Sequence, residues 1–338
     1  MAISIIVTSV AGPNAALRAL AEGAIHAGHD FIVVGDARSP ADFLLDGCRF
    51  LSIAAQLNTG LRLARLSPVG HYSRKNIGYL LAISEGARLI IETDDDNFPR
   101  PAFFKERLRR VSAPLSSAKG WVNVYRYFSD SNIWPRGLPL DKVRVNPVPF
   151  ESLPVAEVEC PIQQGLADEN PDVDAIYRLV LPLPQTFRNN RHVALAKGSW
   201  CPFNSQNTTW WPAVYPLLYL PTHCSFRMTD IWRSFVAQRI AWENGWSVLF
   251  HEPTVWQERN KHNLMRDFAD EVPGYLHNER IAHILEELPI EGGADAMTES
   301  LRRCYEALVR CEVIGAAELP LLDAWIADLD ELNSGTRR

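Results

Sequence analysis

No stretch of this 338-residue chain approaches the ~18 consecutive apolar residues of a membrane-spanning helix, so none is expected. No basic segment precedes the first apolar run, so no signal peptide is expected either. The six cysteines (Cys48, Cys160, Cys201, Cys224, Cys304 and Cys311) contain no CxxC pair. That argues against a zinc ribbon or a disulfide framework, and reduced thiols in a cytoplasmic protein are the expectation. Basic residues are outnumbered, 34 Lys and Arg against 40 Asp and Glu, giving a net charge of -6. Nothing in that balance suggests a nucleic-acid-binding surface. GxGxxG does not follow the first apolar run and GxxxxGKS occurs nowhere, which argues against a dinucleotide oxidoreductase and a P-loop NTPase. No internal repeat is present.

What the chain does contain is a 47% hydrophobic composition, enough for one large domain or two modest ones. Of its ten tryptophans and 23 prolines most lie between Trp121 and Trp256, so that half is expected to be loop-rich and built for ligand contact. Residues 3–10 form a nearly unbroken β-branched run, a buried parallel strand. A turn at 12–14, a helix ending at Gly28 and a strand over 31–34 complete a βαβ unit with a right-handed crossover. A short strand over 50–53 and a helix over 77–86 follow. Further on, a helix is expected at 101–110, strands at 121–127 and 246–250, and helices at 173–179 and from about 229 to 244. From Pro273 the pattern is helical, over 275–288, 298–314 and 319–332.

The stretch LIIETDDDN, 89–97, is the centre of the chain. An apolar strand breaks into Asp94, Asp95 and Asp96, and the prolines at 99 and 101 cannot continue a central strand. Ligands bind at the carboxyl ends of strands in open α/β sheets. Three adjacent carboxylates there suit a hard divalent cation, Mn2+ or Mg2+, which takes oxygen ligands and leaves positions for phosphate; a solvated acidic turn is the plainer alternative. Arg74 and Lys75 at the start of the 77–86 helix make a plausible diphosphate cradle, or simply an exposed basic turn. Asp36, after the second strand, is placed to receive a base or ribose hydroxyl, or to form a turn. In WPRG, Trp134 offers an aromatic platform and Arg136 a fork for phosphate. Asn204, Ser205, Gln206 and Asn207 suit sugar hydroxyls. Asp168, Asp172 and Asp174 read mainly as helix caps. Asp230 is either the N-terminal cap of its helix or a base facing the site. Arg259 and His262 lie in the polar segment QERNKHN, where a histidine could complete a metal shell.

Several blocks, in order, are similar to the STELLO family of glycosyltransferases: VVGDARSP (33–40), YSRKNIGYLLAISEGARLIIETDDDN (72–97), WPRGLPL (134–140), PDVDAIYRL (171–179), PFNSQNTTW (202–210), FRMTDIWRSFVAQR (226–239) and QERNKHN. The resemblance runs collinearly over about 3–275, with the helical tail outside it. Plant members are membrane-anchored Golgi proteins linked to cellulose synthase assembly; no such anchor is expected from this sequence, so neither location nor partner is carried over. The resemblance implies a GT-A-like fold, a Rossmann-type mixed sheet with helices on both faces, plus a C-terminal helical extension. It divides as 1–272, nucleotide-binding to about 130 and acceptor-side from 131, and 273–338. Asp94, Asp95 and Asp96 become its DxD motif, with Asp94 and Asp96 on the metal. Thr8 and Asp36 would hold the nucleoside, and Arg74 and Lys75 the ribose or phosphates. Asp95 would also contact the donor. Asp230 stands where inverting members of the fold place their base. His251 or His262 would be the third metal ligand, with His262 preferred. Trp134, Arg136, Asn204, Gln206 and Arg259 would face substrate.

The implied activity is metal-dependent transfer of a sugar from a nucleoside diphosphate, a UDP-sugar by the fold's usual base, to a glycan, lipid or small-molecule hydroxyl. The DDD pattern also resembles that of sugar-nucleotide mutases, so a mutase or hydrolase is the second reading. A non-catalytic scaffold is the third. The C-terminal helices could serve a homo-oligomer.

Overall fold

The computed structural model describes residues 3–259 and 263–335. Its first half follows from uninterrupted β-branched runs, which make strands buried on both faces. β1 (Ile3–Thr8), β2 (Asp30–Val34), β3 (Arg49–Leu51) and β4 (Leu89–Thr93) lie parallel in the order β3-β2-β1-β4. α1 (Ala15–Ala27) crosses from β1 to β2. The Asn14 side chain accepts the Leu17 N–H at 2.8 Å to start it, and Gly28, at φ 65°, ends it in the left-handed conformation that glycine allows. α2 (Ile53–Asn58), α3 (Arg62–Leu66) and α4 (Lys75–Ser84) connect β3 to β4. α4 lies close on the sheet at Gly78, where an added Cβ would come within 2.8 Å of Val34 and Ile6 side chains.

The second half contains β5 (Asn97–Pro99), β6 (Arg110–Ser116), β7 (Gly120–Trp121), α5 (Tyr125–Phe128), β8 (Val155–Glu159), β9 (Ile162–Asp168) and α6 (Ala175–Val180). It continues with β10 (His192–Leu195), β11 (Ser199–Trp200), β12 (Asn207–Trp210), α7 (Thr229–Glu243) and β13 (Val248–Gln257). β12 pairs antiparallel with β4 and carries the sheet on through β9, β13, β10, β6 and β8, while β5 pairs with β13. The architecture is the expected mixed sheet with helices on both sides, plus C-terminal helices.

Three elements before the C-terminal helices differ from the sequence reading, and the first C-terminal helix starts at Leu264 rather than 275, running through Pro273. Residues 101–110 are not a helix: a 3-10 turn at Pro101–Phe104 precedes β6, whose Val111, Ala113 and Leu115 alternate with period two onto Ala194 and Leu249. The strand expected over 121–127 stops after Trp121, because Asn123 turns the chain into α5 and donates to Ile133 O at 2.9 Å. β13 runs past residue 250, because Pro253 falls within the register shift between His251 and Val255 rather than ending the strand.

α8 (Leu264–Glu287), α9 (Met297–Arg310) and α10 (Glu318–Asn333) close the chain. Ile281, Leu285, Leu301 and Trp325 join one apolar cluster with Ile6, Ile90 and Trp210, so these helices share the core of the sheet. Asp328 on α10 accepts the N–H groups of Arg62 and Leu63 at 3.0 and 2.9 Å, capping α3. No helix among the described residues is long and apolar enough to cross a membrane.

Candidate active site

A cleft of about 270 Å3 opens at the carboxyl ends of β1 and β4. Thr8 ends β1 there, and β4 delivers Asp94, Asp95 and Asp96 into it. The acidic turn is tightly held. Thr93 and Asn97 donate to Gln206 O at 2.8 and 2.9 Å, Asn14 donates to Asp95 O at 2.7 Å, and the Ser9 hydroxyl donates to the Asp95 carboxylate. Gln257 at the end of β13 donates to Asp96 Oδ1 at 2.9 Å. Lys75 reaches the turn from behind, donating to Thr93 O at 2.8 Å and approaching Asp94 Oδ1 at 3.3 Å. One ammonium does not balance three carboxylates. Loss of hydration, countered by Lys75 and reinforced by Asp96, Asp230 and Asp95, pushes the Asp94 carboxyl up to about 7. Burial also raises Asp95.

α7 supplies the opposite side. Asp230, in its first turn, accepts the Ser205 N–H at 3.2 Å and two Arg136 N–H groups at 3.1 and 3.0 Å. Arg136 also forks onto Asp172 at 2.8 and 2.9 Å. Burial alone would raise the Asp230 carboxyl; Arg136 outweighs it and holds Asp230 down at about 2. α7 is fastened to β4 by a buried pair: Arg233 donates to Glu92 at 2.9 and 2.7 Å, and Trp210 Nε1 and the Tyr79 hydroxyl donate to the same carboxylate.

Arg178, Arg227 and Arg259 form a third wall. Arg227 pairs with Glu271 at 2.9 Å and Arg259 with Asp267 at 2.7 Å. Arg178 has no ion-pair partner among the described residues; it donates to Pro171 O at 2.8 Å, and its buried Nε has no hydrogen-bond partner. Burial, and repulsion from Arg259 and Arg227, push Arg178 down to about 9. Such a wall favours an incoming anion, which would relieve that repulsion.

Of the residues singled out in the sequence, Thr8, Asp94, Asp95, Asp96, Arg136, Asn204, Ser205, Gln206, Asp230 and Arg259 line this cleft. Others do not. Arg74 is buried and donates to Gln56 Oε1 and Ser67 O, and fully buried Lys75 faces the protein interior, so neither forms an open diphosphate cradle. The Asp36 carboxylate is taken by the N–H groups of Gly70 and His71 at 2.8 and 3.0 Å. Trp134 is no platform: it is 4% exposed, with Nε1 on Asp174 Oδ2 at 2.7 Å and its ring edge-on to Tyr177. His251 is a core residue between strands, with Nδ1 2.8 Å from Glu252 O. His262 lies outside the described residues.

Tyr72, Arg178, Arg227 and Gln257 line the cleft and were missed, and Asp172 was read only as a cap. Each comes from a different element, so no local pattern marks them. Arg178 and Arg227 do stand inside the family-like blocks PDVDAIYRL and FRMTDIWRSFVAQR.

The family model for STELLO glycosyltransferases matches residues 227–335. The C-terminal helices thus fall inside the family resemblance, not outside it as the blocks alone suggested. Probable glycosyltransferase STELLO2 of Arabidopsis thaliana is 31% identical over 248 residues, covering 68% of this chain and 32% of its own length. Probable glycosyltransferase STELLO1 of the same plant is 32% identical over 248 residues, with the same coverage. The chain therefore spans about a third of the length of these relatives. A mycobacterial protein of known crystal structure aligns over 82% of this chain and 74% of its own at a TM-score of 0.41 and 10% identity, too loosely to carry an argument. Over the part it shares with these relatives, the chain is STELLO-type in sequence, similar to the STELLO glycosyltransferases.

Proposed function

We propose that the cleft binds a nucleoside-diphosphate sugar, a UDP-sugar, with Mn2+ or Mg2+, and transfers the sugar to an acceptor hydroxyl. One observation carries the reading: a carboxylate turn at Asp94–Asp96 faces a wall of three arginines across one cleft at strand carboxyl ends. Among the described residues no three His, Cys, Asp or Glu side chains converge as a ready metal cage. A hard cation that completes its shell from phosphate oxygens and water needs only one or two carboxylates, and the excess negative charge on the turn favours it, so Asp94 and Asp96 fit as its protein ligands. Bound there, the ion would supply Lewis-acid stabilisation of the departing diphosphate.

The chain's own residues would do the rest. Arg178, Arg227 and Arg259 take the phosphate charge in place of the expected Arg74 and Lys75. Thr8 borders the nucleoside end, and Asn204 and Gln206 present amides to sugar hydroxyls. Asp230 is ionised, as a proton acceptor must be, but with Arg136 on both oxygens it is a weak base. To take a proton from the acceptor hydroxyl, Asp230 requires Arg136 to slide fully onto Asp172, which already holds it by a fork.

A thermal-shift screen of nucleoside diphosphates and their sugars, with Mn2+, with Mg2+ and with EDTA, tests the donor class. A ligand at about 100 times its dissociation constant stabilises the fold by roughly 2.7 kcal/mol, a readable shift. A metal-dependent shift for one nucleoside is expected; no shift with any nucleotide sinks the reading. Product analysis with and without acceptor then separates transfer from mutase or hydrolase chemistry.

A further inference from the structure

Beside the cleft lies a second, open groove of about 470 Å3, lined by Arg100, Glu169, Asn170, Trp256, Gln257 and Glu258. We infer that this groove is a carbohydrate subsite that holds a sugar ring of the acceptor against Trp256. The inference rests on the glycosyl-transfer reading for the word acceptor, and on the groove itself for the word carbohydrate.

The groove's aromatic wall is built by the strand that follows the aspartates. β5 pairs with β13 so that Phe98 faces Trp256 across the ladder, and their rings stack at 4.2 Å and 9°. Each ring fixes the other, and both stay partly exposed. The result is a rigid, flat apolar face of the kind that matches the C–H face of a pyranose at little entropic cost.

The remaining lining residues are donors and acceptors. Glu169 and Glu258 have no side-chain partner among the described residues. Arg100 engages Asp168 through Nη2, leaving the rest of its fork uncommitted. Glu169 sits at φ 70°, a left-handed conformation costly for a side chain of its size. A two-way bridge to Gln185, N–H to O at 2.8 and 3.1 Å, holds it there. Strain of this kind persists where surrounding structure enforces it, and it concentrates at ligand sites.

The groove is joined to the chemistry. Gln257 lines both cavities; its side chain holds Asp96 and its carbonyl accepts from Asn170 at 3.1 Å. A ring on Trp256 is therefore one side chain away from the donor carboxylates. The combination selects among ligand classes. Two unpaired carboxylates repel a phosphate or an anionic polymer. The lining is too polar for a lipid chain. An aromatic face rimmed by carboxylate, amide and guanidinium groups suits a neutral sugar, and the volume lies within the range of about 300–1,000 Å3 usual for small-molecule sites.

The test uses the full chain and three neutral probes, cellohexaose, maltohexaose and mannohexaose, read by saturation-transfer NMR and titration calorimetry. At least one hexaose is expected to bind. Trp256→Ala should weaken it by about fivefold or more, and Trp256→Phe, which keeps a smaller ring, by less. Glu169→Gln, nearly isosteric, should also weaken it, and keeps the test open if Trp256→Ala does not fold. If no hexaose binds the wild type, or if Trp256→Ala and Glu169→Gln both bind as tightly as wild type, the subsite is refuted. Metal-dependent UDP binding is measured on the same samples. Intact UDP binding with no hexaose binding overturns the subsite alone. Hexaose binding that obeys Trp256, with UDP binding absent, supports the subsite and overturns the donor reading instead.

Discussion

Glu92→Gln removes one charge from the buried joint between β4 and α7. Both side chains of the Glu92–Arg233 pair are essentially unexposed, at 0% and 1%. Glu92 accepts from Arg233, Trp210 and Tyr79 at once. Glutamine keeps the shape but leaves the Arg233 guanidinium buried without its hydrogen-bonded carboxylate, with Trp210 near its face at 4.9 Å and Asp230 as the more distant counter-charge. Removing one partner of a buried pair costs about 3–5 kcal/mol. At an unfolding entropy of about 2.1 cal/mol/K per residue, that is a fall in Tm of roughly 4–7 °C for a chain of this size. Thermal denaturation followed by circular dichroism reads it directly. The double change Glu92→Gln with Arg233→Met should recover most of the loss, because the amide oxygen still accepts at the joint and the poorly compensated charge is then gone. A Tm for Glu92→Gln within about 1 °C of wild type would refute the reasoning. The same joint spaces Asp94 from Asp230, so Glu92→Gln should also weaken whatever binds between them.

Two carboxyls take up protons near neutrality on folding without metal. Asp94, at about 7, and Asp174, raised to about 6 by burial, both lie above the ordinary carboxylate value of about 3.9. These two carboxyls therefore favour the native state as pH falls from about 7 to about 5, while His71, pushed down to about 4 by burial, and His251, also lowered by burial, oppose them. Comparison with Asp94→Asn isolates the first effect: the Tm of wild type should gain on that of the variant as pH falls over this window, and a constant gap contradicts this. Asp230 acts oppositely, but its depressed carboxyl contributes stability that is lost only below about pH 4. Arg178→Gln relieves repulsion from Arg227 and Arg259, so calorimetry should show UDP affinity down by about tenfold while Tm holds or rises; equal affinity removes Arg178 from the site. Arg136→Gln leaves Asp172 and Asp230 facing each other. It should cost about 3–5 kcal/mol at pH 7, and the gap to wild type should narrow on acidification as one carboxylate takes a proton.

The strand-helix alternation of the first 93 residues was legible because its runs are long, β-branched and punctuated by Asn14 and Gly28. The acidic turn was legible because three carboxylates end an apolar strand. Which way Arg74 and Lys75 face was not. Both sit beside the site in sequence, but tertiary packing buries them as struts for Gln56, Thr93 and Ser205. Trp134 was read as a platform because an aromatic in a turn looks available; its indole nitrogen instead found Asp174, 40 positions away. The arginine wall and the Glu92–Arg233 joint were invisible for a common reason. Their members come from separate elements, and the joint spans 141 residues, so no local period or spacing records them. The C-terminal helices showed their apolar periodicity but not their destination, the core shared with Ile6 and Trp210.

The most direct measurement is calorimetric titration of UDP into the full chain with Mn2+ and with EDTA, on wild type and on Asp94→Asn with Asp96→Asn. The account predicts binding that needs the metal, is lost in the double variant and falls in Arg178→Gln. Binding that is equally tight in EDTA, or unchanged in the double variant, would contradict the metal–diphosphate site. Binding of no nucleotide at all would leave the cleft without its proposed donor.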